Sequence, residues 1–354
     1  MADTASKHID MTTGSLWRNI PLFAFPVAAT SILEQLSNLI ATVIIGNFSG
    51  DQGTLAMAAV GSNVPLTSLM INLFIGLSLG SNVVIANAIG RNDQNMVKRA
   101  VHTSILMALV GFVVIALGEI FAEPMLAALN VPDETMPLAS LYLRVFLLSM
   151  PSILLYNFEA AIFRSVGITR MPLQALAVST VLNIGLDLIF VPVLHWGVAG
   201  VAIATAIAYT VSAVTLFIRL LKTDSVVRVT PRDLGLDPVA LKRIVKIGLP
   251  AGIQSAVFAI SNIVIQSAIN SLGTVVMAAS SAAFNMEYVC YNLLNSFSQA
   301  CTTFVGQNHG ARQIDRCTKT LKVCLVEGGI VALTTIVIIV GLGREILALF
   351  NSDP

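Results

Sequence analysis

Apolar residues come in runs of about twenty or more along this chain, separated by short polar stretches. Nine runs stand out, at about 21–46, 54–88, 100–121, 137–163, 172–194, 198–221, 247–270, 274–306 and 321–343. A helix rises 1.5 Å per residue, so about twenty residues cover the roughly 30 Å hydrocarbon core of a bilayer. Lipid offers no partner for a free N–H or C=O, so each run must satisfy its backbone within itself, as helix. A β-barrel would show weak alternating segments of roughly ten residues, and none of the strong runs alternates. The second and eighth runs exceed what a bilayer needs, which predicts a loop or interfacial turn within them. Residues 1–15 lack the basic-then-apolar order of a secretory leader, so the first run is expected to serve as the insertion signal.

Composition agrees with a polytopic, all-α membrane protein. Hydrophobic residues make up 56% of the chain and charged ones 11%, against about 25% charged in an ordinary soluble domain. The charges are sorted. If the segments between runs are numbered from the N-terminus, the odd ones hold 18 of the 20 Lys and Arg residues, with only Arg144 and Arg344 elsewhere. The other side collects Asp51, Glu119, Glu123, Asp133, Glu134 and Asp353. By the positive-inside rule the N-terminus is cytoplasmic, and the expected location is a plasma membrane, here a bacterial inner membrane. The net charge of +1 therefore marks topology and calls for no nucleic-acid partner. Cys290, Cys301, Cys317 and Cys324 have neither CxxC nor metal-type spacing, so buried free thiols are expected rather than disulfides or a metal site.

The chain also repeats itself. Trp17-Arg-Asn-Ile-Pro-Leu-Phe-Ala-Phe-Pro26 is similar to Leu241-Lys-Arg-Ile-Val-Lys-Ile-Gly-Leu-Pro250, and Asn63 answers to Asn285. Ala88-Ile-Gly90 answers to Asn308-His-Gly310, and Leu126…Asn130 to Leu347…Asn351. The offsets are 250 − 26 = 224, 285 − 63 = 222, 310 − 90 = 220 and 351 − 130 = 221. Six runs, an even number, separate the copies, so both insert with the same orientation. Parallel repeats about an axis along the membrane normal are a transporter plan, with substrate held between two rocking lobes. The expected domains are a first lobe over 1–221, a cytoplasmic linker over 222–246 and a second lobe over 247–354.

In this order and spacing, several short segments resemble the multidrug and toxic compound extrusion (MATE) exporters of the flippase-like MOP superfamily. They are Pro26, Gln35-Leu-Ser-Asn38, Gly46, Leu55-Ala-Met-Ala-Ala-Val-Gly61, Gly76-Leu-Ser-Leu-Gly80, Arg164-Ser-Val-Gly167, Asn183-Ile-Gly-Leu-Asp187, Gly197-Val-Ala-Gly200, Gly248-Leu-Pro250 and Phe304-Val-Gly-Gln-Asn-His-Gly310. The resemblance covers residues 15–354 and implies two six-helix lobes around a central cavity, with export driven by an inward H⁺ or Na⁺ gradient. With three runs after the linker, the second lobe is expected to be incomplete in this chain.

Intramembrane polar residues are costly and mark function by default; insertion scales put Asp at roughly +2.5–3.5 kcal/mol at mid-span. Thr180, Asn183 and Asp187 recur at helical spacing on one face of the fifth run. This carboxylate with neutral oxygens reads as a cation site, or else as an inter-helix hydrogen-bond clamp. The resemblance adds Tyr142 and Thr205 to the same network. It also implies an Asp in the first helix where this chain has Ala41, so Glu34, seven residues earlier on nearly the same face, is either a displaced proton site or a cavity residue, with Asn38 between them. Tyr288, Asn292, Asn295 and Gln299 form a polar stripe on the eighth run with Glu287 beside it, and Asn262 and Gln266 repeat the pattern on the seventh. Such stripes must face protein or water, so cavity lining is expected, or else hydrogen-bonded packing. Some relatives carry a Glu eight residues after the second-lobe proline; here that position is Phe258. Pro26 interrupts the hydrogen-bond ladder of the first helix and is the expected hinge.

An enzyme reading has one lure, the G-x-S-x-G of residues 76–80, which fits a nucleophile elbow. An elbow needs a strand-to-helix turn and a base, and His8, His102, His195 and His309 all fall at run ends or outside the runs. Read as small-xxx-small, the same residues form a helix-packing face. No Walker loop, HExxH or paired-carboxylate motif is present, so the expectation is a non-enzymatic, monomeric secondary transporter with a small-molecule substrate. It needs no cofactor beyond the coupling H⁺ or Na⁺. The alternatives are a lipid-linked-oligosaccharide flippase, for which Arg144 is the sole cavity arginine in view, or a non-transporting membrane scaffold or channel subunit.

Overall fold

The computed structural model describes residues 8–50, 53–129, 131–270 and 274–348; some side chains from 263 onward, among them Gln266 and Asn285, lie outside the described residues. Among the described residues eleven α-helices follow in order: α1 (Leu16–Phe48), α2 (Gly53–Gly90), α3 (Gln94–Met107), α4 (Val110–Ala128), α5 (Met136–Leu147), α6 (Met150–Ser165), α7 (Arg170–Phe190), α8 (Gly197–Lys222), α9 (Pro238–Asn270), α10 (Thr274–Gly310) and α11 (Ile314–Ala348). Among the described residues there is no strand, so the elbow reading of 76–80 fails. Ser78 lies inside α2 and its hydroxyl donates to the Ile75 carbonyl at 2.8 Å.

The count of nine spans is met only in part. Among the described residues seven helices are long and apolar enough to cross a membrane, or eight if α5 and α6, bent by 46° at their junction, form one span. The helix short of that measure is α10, where Asn292, Asn295, Gln299, Gln307 and Asn308 dilute the apolar run. The third run is broken at residues 108–109 into α3 and α4, and the fourth at 148–149 into α5 and α6. The break before α6 precedes Pro151, which cannot donate to the preceding turn. The last nine residues of the 222–246 segment are helical, because α9 already begins at Pro238.

The repeat is visible in the helices themselves. The pair α1 and α9 are both 33 residues long, α2 and α10 are 38 and 37, and the α3–α4 stretch matches α11 at 35. The turns after α2 and α10 agree bond by bond. Arg91 N–H donates to Asn87 O and Asp93 N–H to Ala88 O, just as Ala311 N–H donates to Gln307 O and Gln313 N–H to Asn308 O. Asn92 (φ 56°) and Arg312 (φ 60°) both take the left-handed conformation that closes such turns.

The two repeats exchange their first helices. The early part of α1 (Leu16, Ile20, Phe23, Ala24, Val27) packs with Phe297, Ala300, Phe304 and Val323 of α10 and α11. Its later part (Ala41, Ile44, Ile45) packs with Leu143 and Phe146 of α5 and Ala202 of α8. Pro26 falls at the changeover, inside a helix that continues through it, with its carbonyl accepting from Thr30 Oγ1 at 2.9 Å. Reciprocally, Ala240 and Ile244 of α9 join a core with Val97 and Ala100 of α3.

Glycine allows the approach. A Cβ on Gly76 would run into the backbone of Gly252, and one on Gly80 into the Ile244 carbonyl. One on Gly90 would strike the Gln307 carbonyl, and one on Gly310 the Asn87 carbonyl. The segment between α8 and α9 is fastened to α3. Thr230 N–H donates to His102 Nε2 at 3.1 Å, Asp237 N–H donates to Thr103 Oγ1 at 3.0 Å, and Lys98 pairs with Asp233 at 2.8 Å. The Lys98 ammonium, donating to Asp233, holds that exposed carboxyl below its ordinary range.

An N-terminal strap spans both repeats. Ile9 N–H donates to Gly167 O, while Met11 O accepts from Asn308 Nδ2 at 3.0 Å and Arg316 Nε at 3.2 Å. Asp10 shapes the strap by accepting from the hydroxyls and amides of Thr12 and Thr13.

Two outcomes follow. Gly76→Ala should lower stability by about 1–3 kcal/mol, because the added methyl overpacks backbone. Gly61→Ala, where nothing lies within 4 Å of the built Cβ, should be neutral or slightly stabilising; thermal unfolding of the two variants in detergent separates them. For the strap, the Asp10 carboxyl is drawn down to about 2 from 3.8, first by the Thr13 hydroxyl. Its contribution is therefore complete above pH 3.8 and is lost as the pH falls through about 2. Amide exchange of residues 8–15 should quicken in that window, and Asp10→Asn should remove the step.

Candidate functional site

The fifth expected run folds as α7, and its polar face points inward: Thr180 is 8% exposed, Asn183 5% and Asp187 0%. That face is held against α1, because Ser37 Oγ donates to Asn183 Oδ1 at 2.8 Å. The other groups are left open. Asn183 Nδ2 and both carboxylate oxygens of Asp187 are buried without a hydrogen-bond partner. Tyr142 lies within electrostatic range of Asp187 but is stacked on Phe146, with ring centroids 5.8 Å apart. Thr205 is half-buried on α8, which packs against α7. Asp187 and Asn183 thus share the inward face of α7, with Tyr142 in electrostatic range of Asp187 and Ser37 bonded to Asn183; Thr205 is placed only as far as its helix, which packs against α7. No hydrogen bond closes these groups around the carboxylate.

Ala41 is 9% exposed and sits in the apolar core of the first repeat with Ile44 and Leu143. Glu34 keeps other company: Arg164, Tyr156, Tyr209 and Tyr288 are the groups whose charge or ring it faces. Asn38 is exposed, and its carbonyl accepts from Thr42.

The stripe on α10 is divided. Tyr288 is 47% exposed and Glu287 is exposed beside it. Asn292 is buried and donates to the Tyr288 carbonyl at 2.9 Å, and Asn295 is half-buried. Gln299 meets the first repeat by accepting from Arg164 Nη1 at 3.1 Å. Asn262 is exposed on α9, and the Gln266 side chain lies outside the described residues.

Two arginine readings change. Arg164, read as a topological marker, reaches between the repeats to Gln299. Arg144, read as the sole cavity arginine, instead ties α5 to α4 through Glu123 at 3.1 Å and Glu119 at 3.8 Å. Two surface depressions, of about 330 and 510 Å³, lie near His195 and Trp196 and near Asp133 and Arg144, and none of the expected site residues lines them. Among the described residues no group of three or more His, Cys, Asp or Glu could hold a metal. Cys290, Cys301, Cys317 and Cys324 are free thiols.

Sequence reasoning passed over two buried acids. Glu159 on α6 is 0% exposed with both oxygens unpartnered, and Glu327 on α11 is 7% exposed with Oε2 unpartnered. The signal was the one used for Asp187, a carboxylate inside an apolar run.

The sequence profile of the MatE family matches residues 26–189 and 250–354, the two repeats in turn. The chain belongs to the MatE family. It is 28% identical over 354 aligned residues to the "Probable multidrug resistance protein YoeA" of Bacillus subtilis (strain 168), covering 96% of this chain and 74% of that one. It is 24% identical to the "FAD transporter" of Shewanella oneidensis, covering 94% and 76%. A solved structure, described as the outward-facing conformation of a multidrug resistance MATE family transporter of the MOP superfamily, superposes with a TM-score of 0.89 at 23% identity, covering 98% and 77%. This MATE protein is thus a multi-pass membrane transporter by family and fold, with helices exchanged between its repeats and a buried carboxylate on α7, a helix that packs against α1.

Proposed function

We propose that this MATE protein is a secondary active exporter that exchanges small amphipathic compounds for H⁺ or Na⁺, with Asp187 as the principal coupling residue. The observation that carries the reading is the Asp187 carboxylate, buried with neither oxygen paired. An unpaired charge buried away from water is costly, so such a group is completed by a proton or a small cation. Asn183, Tyr142 and Thr205 would supply the neutral polar atoms, and Ser37 links Asn183 to α1. Taking up or losing the cation therefore changes a contact of the helix that ties the repeats together. Relatives named for multidrug resistance support an amphipathic substrate. Glu34 and Arg164, with the α10 stripe of Asn292, Asn295 and Gln299, would line the substrate path between the repeats.

The flippase reading is weaker, since Arg164 is the one described arginine that bonds from α6 to α10, while Arg316 serves the N-terminal strap. The membrane would be a bacterial inner membrane with the basic end cytoplasmic, in keeping with the positive-inside rule.

Asp187→Asn keeps the side-chain volume and removes the ionisable group. It should insert and fold as the native chain does, yet lose gradient-driven efflux down to the leak of empty vesicles. Efflux of a cationic dye from proteoliposomes, under a pH gradient and separately under a Na⁺ gradient, reads this directly. Efflux by the variant that still follows either gradient would make Asp187 structural.

A further inference from the structure

Glu159 is the other carboxylate buried in the first repeat. It lies on α6, wholly excluded from solvent, and neither oxygen finds a hydrogen-bond partner. α10, with Glu287, Tyr288, Tyr291 and His309, bonds to the end of α6, and Glu34 of α1 faces its Tyr156 and Arg164. The helices packed most closely against α6 are α2, α8, α4, α3 and α7. Their ionisable groups are few: none on α2; Tyr209, Arg219 and Lys222 on α8; Glu119 and Glu123 on α4; Lys98, Arg99 and His102 on α3; Arg170 and Asp187 on α7. The arms of several are already engaged. Lys98 pairs with Asp233, His102 with the Lys98 carbonyl and the Thr230 amide, and both α4 acids with Arg144. On α6 itself, Tyr156 donates to Pro172 O and stacks edge-on to Tyr209, and Arg164 is turned to Gln299. Arg170, Arg219 and Lys222 are not paired with Glu159 either, since both of its oxygens are without a partner, and a lone carboxylate without neighbouring acceptors is a poor cage for a metal ion. A proton is the one ligand this site suits.

The second repeat grips the part of α6 just beyond Glu159. Asn82 of α2 donates to the Ala161 carbonyl at 3.1 Å, and its own oxygen accepts from Thr303 of α10 at 2.9 Å. Gln307 Nε2 donates to Ser165 O at 2.6 Å, and Arg164 reaches Gln299. These bonds fix the end of α6 within two turns of the buried Glu159.

We propose that Glu159 is a second proton-binding site of this protein, loaded while α10 is latched onto the end of α6 and emptied when the latch opens. The reaction is a simple acid dissociation, the carboxyl O–H releasing its proton to water that reaches the site. Ionisation in the closed packing would strand an unpaired charge, so release requires the latch to part, and reloading favours its closure. This rests on the MATE reading above but not on Asp187 being its coupling residue.

The test is infrared spectroscopy of the full chain in liposomes across a pH titration, with hydrogen–deuterium exchange of residues 299–313 read alongside. The native protein should show a buried protonated-carboxyl band that shifts when the protein carries isotope-labelled glutamate, survives in Asp187→Asn and disappears in Glu159→Gln. Loss of that band on raising the pH should coincide with faster exchange in 299–313, after correction for the intrinsic rate, and Glu159→Gln should abolish that acceleration. A carboxyl band untouched by glutamate labelling would overturn the site without need of any variant. A Glu159→Gln protein that opens with pH as the native one does would overturn the latch. Failure of Asp187→Asn to lose coupled efflux would count against the coupling reading alone, since the Glu159 band is scored separately.

Discussion

Two helix crossings, α2 on α9 and α2 on α10, are possible only because glycine stands at each contact. Gly76 and Gly80 of α2 meet Gly252 and the Ile244 carbonyl of α9, and Gly90 and Gly310 each lie against the other repeat's turn. In lipid, apolar side chains gain nothing by leaving the solvent, so helix association rests on close packing and on polar bonds across the contact. Both are present. The backbones approach without side chains between them, and Asn82, Asn87, Thr303 and Gln307 bond across the seam. The exchange of α1 and α9 between repeats follows from this crossing, because each first helix is drawn over the partner's second helix.

That geometry gives the polar residues their meaning. A carboxylate at the centre of a tightly packed repeat is costly unless completed, and both Asp187 and Glu159 are of this kind. Asp187 lies behind α1, whose early part belongs to the second repeat's core and whose later part belongs to the first. Glu159 lies on α6, whose end α10 grips directly through Gln307 and, by way of Asn82 of α2, through Thr303. Each acid is therefore placed next to an element that both repeats share. On the proposed readings, a change in its protonation would be felt where the repeats join.

Much of this was legible in the sequence. The offset of about 220 residues between Gly90 and Gly310 reappears in matched turns, because identical backbone conformations need similar residues at the same places. The 76–80 motif read correctly as a packing face, since glycine spacing on a helix states its own geometry. Asp187 announced itself as a charge inside an apolar run. What remained hidden depended on direction. Arg164 at a run end could face water or the other repeat, and only the packing of α6 against α2 and α10 turns it to Gln299. Arg144 sits inside a run, yet Glu119 and Glu123 one helix away claim it. Glu34 shares a helical face with Ala41 but lies farther along α1, and there it meets Arg164 and Tyr156 instead of Asp187. The bend at 148–149 lies where Pro151 disturbs the helix, and Gly111 of α4 packs directly on that proline, a contact no spacing in the sequence marks.

On the proposed transport reading, the repeats are clasped where Asn87 and Gln307 bond across them and would have to part there for substrate to move. Asn87 and His309 face each other across that seam, with Asn87 Nδ2 and His309 Nδ1 at 3.2 Å. In a background lacking the four native cysteines, Asn87→Cys with His309→Cys can be joined by a short reducible cross-linker. The account predicts that dye efflux stops when the pair is linked and returns on reduction, while either single replacement pumps throughout. Undiminished efflux from the fully cross-linked protein would contradict it.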